Sequence, residues 1–169
     1  MPNPEQLDSL SNRVSSIYED STNTLWVGTL NGLHKFDRQQ ETFVHYFPEP
    51  DNPKSLSHRA VWDMVEDKQG VLWIATDGGG LNQFDRQTET FIHYKQNLQN
   101  PTQLNNNFIL SLYQDRAGTL WIGTAGGGLN LFHQADKKFR HYFHNPMDAN
   151  ILNHNDISSI YETKMAYYG

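Results

Sequence analysis

Apolar and polar residues alternate along this chain in short runs, and the runs come in groups of four. The first group is Val14-Ser15-Ser16-Ile17-Tyr18-Glu19, Leu25-Trp26-Val27-Gly28-Thr29, Leu33-His34-Lys35-Phe36 and Phe43-Val44-His45-Tyr46. These runs are rich in β-branched and aromatic side chains and too short to show a 3.6-residue period, so they read as strands. A second group covers 61–66, 72–76, 81–84 and 91–94, and a third covers 109–114, 120–124, 129–132 and 139–142. A lone first strand follows at 157–162.

Turn residues punctuate the groups at fixed places. Between the first and second strands lie Asp67-Lys68-Gln69-Gly70 and Asp115-Arg116-Ala117-Gly118. Asp accepts backbone N–H groups there, and Gly takes the positive φ that closes a hairpin. In the first group Asn23, the next most tolerant residue, replaces the glycine. The second turn is Asp77-Gly78-Gly79-Gly80 or Ala125-Gly126-Gly127-Gly128, shortened to Leu30-Asn31-Gly32 in the first group. The third is polar, as in Asp37-Arg38-Gln39-Gln40-Glu41. About 14 residues rich in Asn, Pro and Ser then lead to the next group.

The groups are repeats. Trp26, Trp73 and Trp121 are 47 and 48 residues apart, and His45-Tyr46, His93-Tyr94 and His141-Tyr142 are each 48 apart. The second and third repeats share about 19 of 48 positions without a gap. Four antiparallel strands at this period are the mark of a β-propeller blade. The expected fold is all-β: three complete four-stranded antiparallel blades plus one extra strand. Their bounds are 14–60, 61–108 and 109–156, with 1–13 as an N-terminal loop segment and 157–169 as the start of a further blade and a tail.

The segment from Val61 to Asp85, with its Glu-Asp-x-x-Gly turn, Leu-Trp-Ile and Gly-Gly-Gly-Leu-Asn-x-Phe-Asp, resembles the two-component regulator propeller repeat. Ala75 stands where that repeat has Gly; in the next copy Gln114 replaces Glu and His133 replaces Asp. The resemblance runs over 14–162. It implies the sensor region of a hybrid histidine kinase, where a full ring of blades precedes a further β domain, a membrane span and a kinase. It also implies a periplasmic or extracellular place, although residues 1–6 read as no signal peptide.

Three blades leave two open ends, since propellers have roughly four to eight. The expected partner is therefore the chain itself, as a homodimer or small homo-oligomer, or the remaining blades of a longer chain.

Composition narrows the function. With 13 Lys and Arg against 19 Asp and Glu, the net charge is −6. That argues against a nucleic-acid binder, which needs a basic face, and against attraction to anionic lipid. No apolar run reaches membrane-spanning length. The absence of Cys removes thiolate chemistry, disulfides and Cys-based zinc sites.

Packing and turn geometry account for most of the residues that could carry chemistry. Trp26, Trp73 and Trp121 read as inter-blade core, and Asp67, Gly70, Asp115, Gly118, Gly80 and Gly128 as structural turn positions. The recurring His45, His93 and His141 read as packing, because one metal could not reach all three. The cluster of His133, His141, His144 and His154 has no carboxylate at a ligand spacing. No metal or cofactor is expected. No helix follows the glycine triplets, so they fail as phosphate cradles.

Topology puts the long connectors and the glycine turns on one face of the disc. Ligand-binding candidates there are His58, Arg59, Asn105, Asn106, Asn107, His154 and Asn155, with Trp62, Asp63, Ser111 and Ser159 just inside. Trp62 breaks the repeat, where the other copies have Ser15, Leu110 and Ser158. Asn, Asp, Arg and Trp suit a saccharide, which offers vicinal hydroxyls and an apolar ring face. The function expected is a non-catalytic, sensor-type recognition module. The alternatives are a structural assembly unit without a small ligand, or an enzyme similar to the streptogramin lyases, also repeat propellers.

Overall fold

The computed structural model describes residues 13–148 and 150–163. Twelve strands form in the order β1 Val14–Glu19, β2 Leu25–Thr29, β3 Gly32–Asp37, β4 Thr42–Tyr46, β5 Val61–Glu66, β6 Leu72–Thr76, β7 Gly80–Asp85, β8 Thr90–Tyr94, β9 Ile109–Gln114, β10 Leu120–Thr124, β11 Leu129–His133 and β12 Lys138–Tyr142. Each run of the three complete groups is a strand, to within a residue or so at its ends, but the strand expected at 157–162 does not form. They make three antiparallel four-stranded sheets, β1–β4, β5–β8 and β9–β12, each in sequence order. The described residues contain no helix, and the three sheets do not close into a ring.

The turns explain the order. Asn23, Gly70 and Gly118 have φ of 59°, 79° and 89°. Asp20, Asp67 and Asp115 each accept from the backbone N–H four residues on, at 2.8 to 3.0 Å. The same carboxylates accept the indole N–H of Trp26, Trp73 and Trp121 at 2.7, 2.7 and 2.8 Å. One Asp therefore closes the hairpin and fixes the large ring that the second strand presents to the neighbouring sheet.

The sheets stack face to face. Trp26, Leu33, Leu56, Val61, Met64, Leu72, Ile74, Phe84 and Phe91 form one core between the first two sheets. Trp73, Leu81, Tyr94, Leu104, Ile109, Leu112, Leu120, Ile122, Phe132 and Phe139 form the other. At each of the two junctions the earlier sheet gives a Trp–Leu–Tyr face and the later sheet a Phe–Phe face. All five residues of β6 are buried, because the middle sheet is covered on both sides.

Residues 157–162 lie where the inner strand of a fourth sheet belongs. Ile157 N donates to Thr124 O at 3.0 Å, and Arg116 N to Glu162 Oε2 at 3.1 Å. They form no ladder in this structure, because no second strand lies beside them.

Candidate ligand-binding face

On the face that carries the long connectors, each connector is pinned to a glycine turn. Gly32 N donates to Arg59 O at 2.6 Å, Gly80 N to Asn107 O at 3.0 Å and Gly128 N to Asn155 O at 2.8 Å. Asn107 Oδ1 also accepts from Gln96 N, and Asn155 Oδ1 from His144 N, both at 2.7 Å. In the first repeat the corresponding residue is Pro48, which has no N–H to give. The Asn is replaced there by Arg59, whose side chain is exposed.

The residues just before are held in the same way. His58, Asn106 and His154 accept from the backbone N–H of Ala60, Phe108 and Asp156 at 3.2, 2.8 and 3.0 Å. Asn106 Nδ2 and Asn105 Nδ2 donate to Ala125 O and Gly127 O, both at 2.6 Å. Most of the candidate amides thus spend their polar atoms on the chain's own backbone, and Arg59 is the exception.

The inner candidates lie on β5, β9 and the 157–162 segment. Pairing of β5 with β6 shifts between Val61 and Asp63, so Trp62 is the bulged residue. Ser15 and Leu110 sit at the same bulge in the other sheets. A bulged residue has no cross-strand partner, which frees this position to vary. Trp62 is half-buried against the core between the second and third sheets, and its indole N–H has no protein partner. Asp63 Oδ2 accepts from Leu112 N and Oδ1 from Met64 N, both at 2.8 Å. Burial pushes the Asp63 carboxyl above its usual range, against those two hydrogen bonds. Ser111 Oγ donates to Ile157 O at 3.0 Å.

The recurring histidines mostly tie connectors to outer strands. His93 Nε2 donates to Ser55 O at 2.7 Å and His141 Nε2 to Gln103 O at 2.8 Å. His45 differs, with its Nδ1 2.7 Å from Nδ1 of His34. Burial, then His45, lowers the His34 pKa from its ordinary value. Among the described residues no three His, Asp or Glu side chains come together as a metal site.

Two clefts stand out. One, of about 500 Å³, lies under the first connector between Pro48, Glu49, Pro50, Asn52, Pro53, Ser55, Leu56, Ser57, Arg59, His93 and Lys95. Arg59 and Lys95 against Glu49 make it basic in an acidic chain. The other, of about 730 Å³, is mostly apolar and lies on the open face of the third sheet beside Trp121, Leu129 and Tyr142. Among the ligand-binding candidates read from the sequence, Arg59 alone lines either cleft. Lys95, Glu49 and the proline-rich wall carry no repeat signal that points to them.

Three stacked four-stranded sheets around inner strands β1, β5 and β9 define an arc of a β-propeller. Residues 8–31, 55–78 and 103–126 each match the two component regulator propeller. The extracellular domain described as the hybrid two component system BT3049 of B. thetaiotaomicron is 28% identical, with a TM-score of 0.79 over 88% of this chain and 20% of that one. The extracellular domain described as the one component system BT4673 of the same organism is 27% identical, with a TM-score of 0.72 over 89% of this chain and 19% of that one. The chain therefore spans about a fifth of the length of these solved domains. The RRP9 WD40 repeats, at 12% identity and a TM-score of 0.57 over 79% of this chain and 38% of that one, share the fold alone. No curated protein sequence matches.

Proposed function

We propose that this chain is a non-catalytic recognition segment of a two-component sensor, lying outside the cytoplasm, and that it binds an anionic saccharide in the cleft at Arg59. The observation that carries this reading is one basic side chain, Arg59, left outside the side-chain hydrogen bonds that hold the other two connectors. Asn107 and Asn155 hold the second and third connectors, while Arg59, opposite Pro48, holds only by its backbone carbonyl. A guanidinium on a rigid frame, with Lys95 nearby, suits the carboxylate or sulfate of an acidic sugar. Likeness to extracellular domains supports the location.

Titration calorimetry with acidic oligosaccharides tests it. Saturable binding is expected, weakened about tenfold or more by Arg59→Ala with the circular dichroism spectrum unchanged. Binding that is insensitive to Arg59→Ala removes the cleft from the reading. An absence of binding across neutral and acidic sugars favours a purely structural unit.

A further inference from the structure

The two junctions between sheets share their aromatic parts and differ in their charges. Trp26 meets Phe84 with ring centroids 5.1 Å apart, and Trp73 meets Phe132 at 5.2 Å. On the rim away from the connectors, ion pairs close the first junction. Arg86 Nη1 donates to Asp20 Oδ2 at 2.7 Å, its Nη2 to Glu66 Oε1 at 2.9 Å and its Nε to Gly70 O at 3.1 Å. Lys35 Nζ donates to Glu89 Oε1 at 3.0 Å, from the first sheet to the second. Each of these carboxylates has a cation, and each cation a carboxylate.

The second junction keeps the frame and changes the charges. Asp67 stands for Asp20, but Gln134 stands for Arg86, Gln114 for Glu66, Gln83 for Lys35 and Lys137 for Glu89. Gln134 Nε2 donates to Asp67 Oδ2 at 2.7 Å, and Gln114 Nε2 to Gly118 O at 3.3 Å. Gln83 Oε1 accepts from the Tyr94 hydroxyl of its own sheet at 2.9 Å instead of pairing across the junction. Two charges are left over. Asp67 accepts from Gln69 N, Val71 N, Trp73 Nε1 and Gln134 Nε2, but has no cation among the described residues. Lys137 makes no salt bridge among them.

Both leftover charges line one cleft. It lies between the second and third sheets, has a volume of about 170 Å³, and is walled by Trp73, Tyr94 and Phe132 as well as by Asp67, Gln134 and Lys137. Asp67 is 5% exposed, whereas Lys137 is exposed, so the negative end is deep and the positive end is at the rim. At about 30 Å³ per water the cleft holds about six waters, and so a molecule of about six non-hydrogen atoms. In the first junction the equivalent place belongs to the Arg86 guanidinium and the Lys35–Glu89 pair.

We propose that this cleft binds a small free α-amino acid, with its ammonium on Asp67 and its carboxylate on Lys137. The class follows from the charges that the second junction lacks. Compared with the first, it has lost the cation beside its Asp and carries a cation where an anion stood. A molecule with an ammonium and a carboxylate a few bonds apart supplies both partners at once. An amine alone leaves Lys137 unpaired, and an acid alone leaves Asp67 so. A peptide holds its two termini too far apart, and a hexose is too large for the cleft. The ammonium takes over the bond that the Gln134 amide makes to Asp67 Oδ2, as Arg86 holds Asp20. A charge-assisted hydrogen bond there is stronger than the neutral one it replaces. The site is on the rim opposite the cleft at Arg59 and is independent of it.

Titration calorimetry of the full chain with alanine, ethylammonium and propionate tests this. Alanine is expected to bind saturably, and each half-ligand about tenfold more weakly or worse. Gln134→Arg installs the cation of the first junction on Asp67. It is expected to abolish alanine binding, with the circular dichroism spectrum unchanged and a urea midpoint no lower than before. Lys137→Gln is expected to weaken alanine about tenfold, while ethylammonium binds no more weakly. Arg59→Ala is expected to leave alanine binding unchanged, which separates this site from the connector-face cleft. An absence of saturable alanine binding, a half-ligand bound as tightly as alanine, or alanine binding that survives Gln134→Arg overturns the proposal.

Discussion

Arg86 Nη1 lies 2.7 Å from Asp20 Oδ2, the oxygen that also accepts the indole N–H of Trp26 at 2.7 Å. The bond crosses from one sheet to the next, and the Asp20 side chain has no exposed surface. Arg86→Ala leaves this carboxylate and that of Glu66 without their cation. The expected loss is about 3 kcal/mol, read as a lower urea midpoint. Gln134→Ala, at the equivalent place in the next junction, is expected to cost about 1 kcal/mol because a neutral donor is lost.

Acid unfolding should report the same carboxylates. Burial raises the Asp20 pKa, but hydrogen bonds from Thr22, Trp26, Arg86 and Thr24 outweigh it and hold the group well below 3.8. Asp115 is lowered in the same way, with bonds from Trp121 and Thr119 outweighing burial. A depressed carboxyl stabilises the fold above its unfolded value, and that stability is lost as pH falls through the folded one. Asp63, raised by burial, has the opposite sign: the fold favours its protonated form. Urea midpoints measured from neutral pH downward are expected to fall below about pH 4. The fall should be shallower in Asp115→Asn.

Two substitutions at positive φ should move stability in opposite directions. Gly80 has φ of 81°, and an added Cβ would lie 2.4 Å from Tyr94 O. Gly80→Ala therefore forces backbone apart, and the expected cost is about 3 kcal/mol or more. Lys137 also has positive φ, 54°, although it bears a side chain. Lys137→Gly relieves that strain, with an expected gain of about 0.5 kcal/mol in thermal or urea melts.

The three tryptophans should not be equivalent. Trp73 is only 2% exposed between two sheets, while Trp121 faces the open cleft. Trp73→Ala is expected to cost about 4 kcal/mol, and Trp121→Ala clearly less in a single copy. Iodide quenching of tryptophan fluorescence should weaken in Trp121→Phe more than in Trp73→Phe.

The strands were legible because alternation, short length and turn residues all agree at a constant period. The place of Trp26 and Trp73 in the core between sheets was legible for the same reason. The constant spacing from Asp20 to Trp26, Asp67 to Trp73 and Asp115 to Trp121 was equally visible, but it reads as turn chemistry until the indole N–H is seen to meet the carboxylate. The positive φ of Glu41, Glu89 and Lys137 left no mark, since these residues are ordinarily poor in that conformation. Asn106, Asn107 and Asn155 attract attention in sequence as free amides, whereas the folded backbone consumes them. The significance of Arg59 depends on Pro48, eleven residues away, which sequence alone does not bring beside it. Trp62 breaks the repeat because a bulge relaxes the pairing rule there.

The burial of every residue of β6 has a consequence for how the molecule opens. Each sheet is contiguous in sequence and touches only its neighbours, so unfolding is a nearest-neighbour process along the stack. The amides of the middle sheet exchange with solvent only when both junctions are lost, while those of the outer sheets need lose only one. Deuterium uptake should therefore run inward from both ends, with Ile74 and its strand the last to exchange.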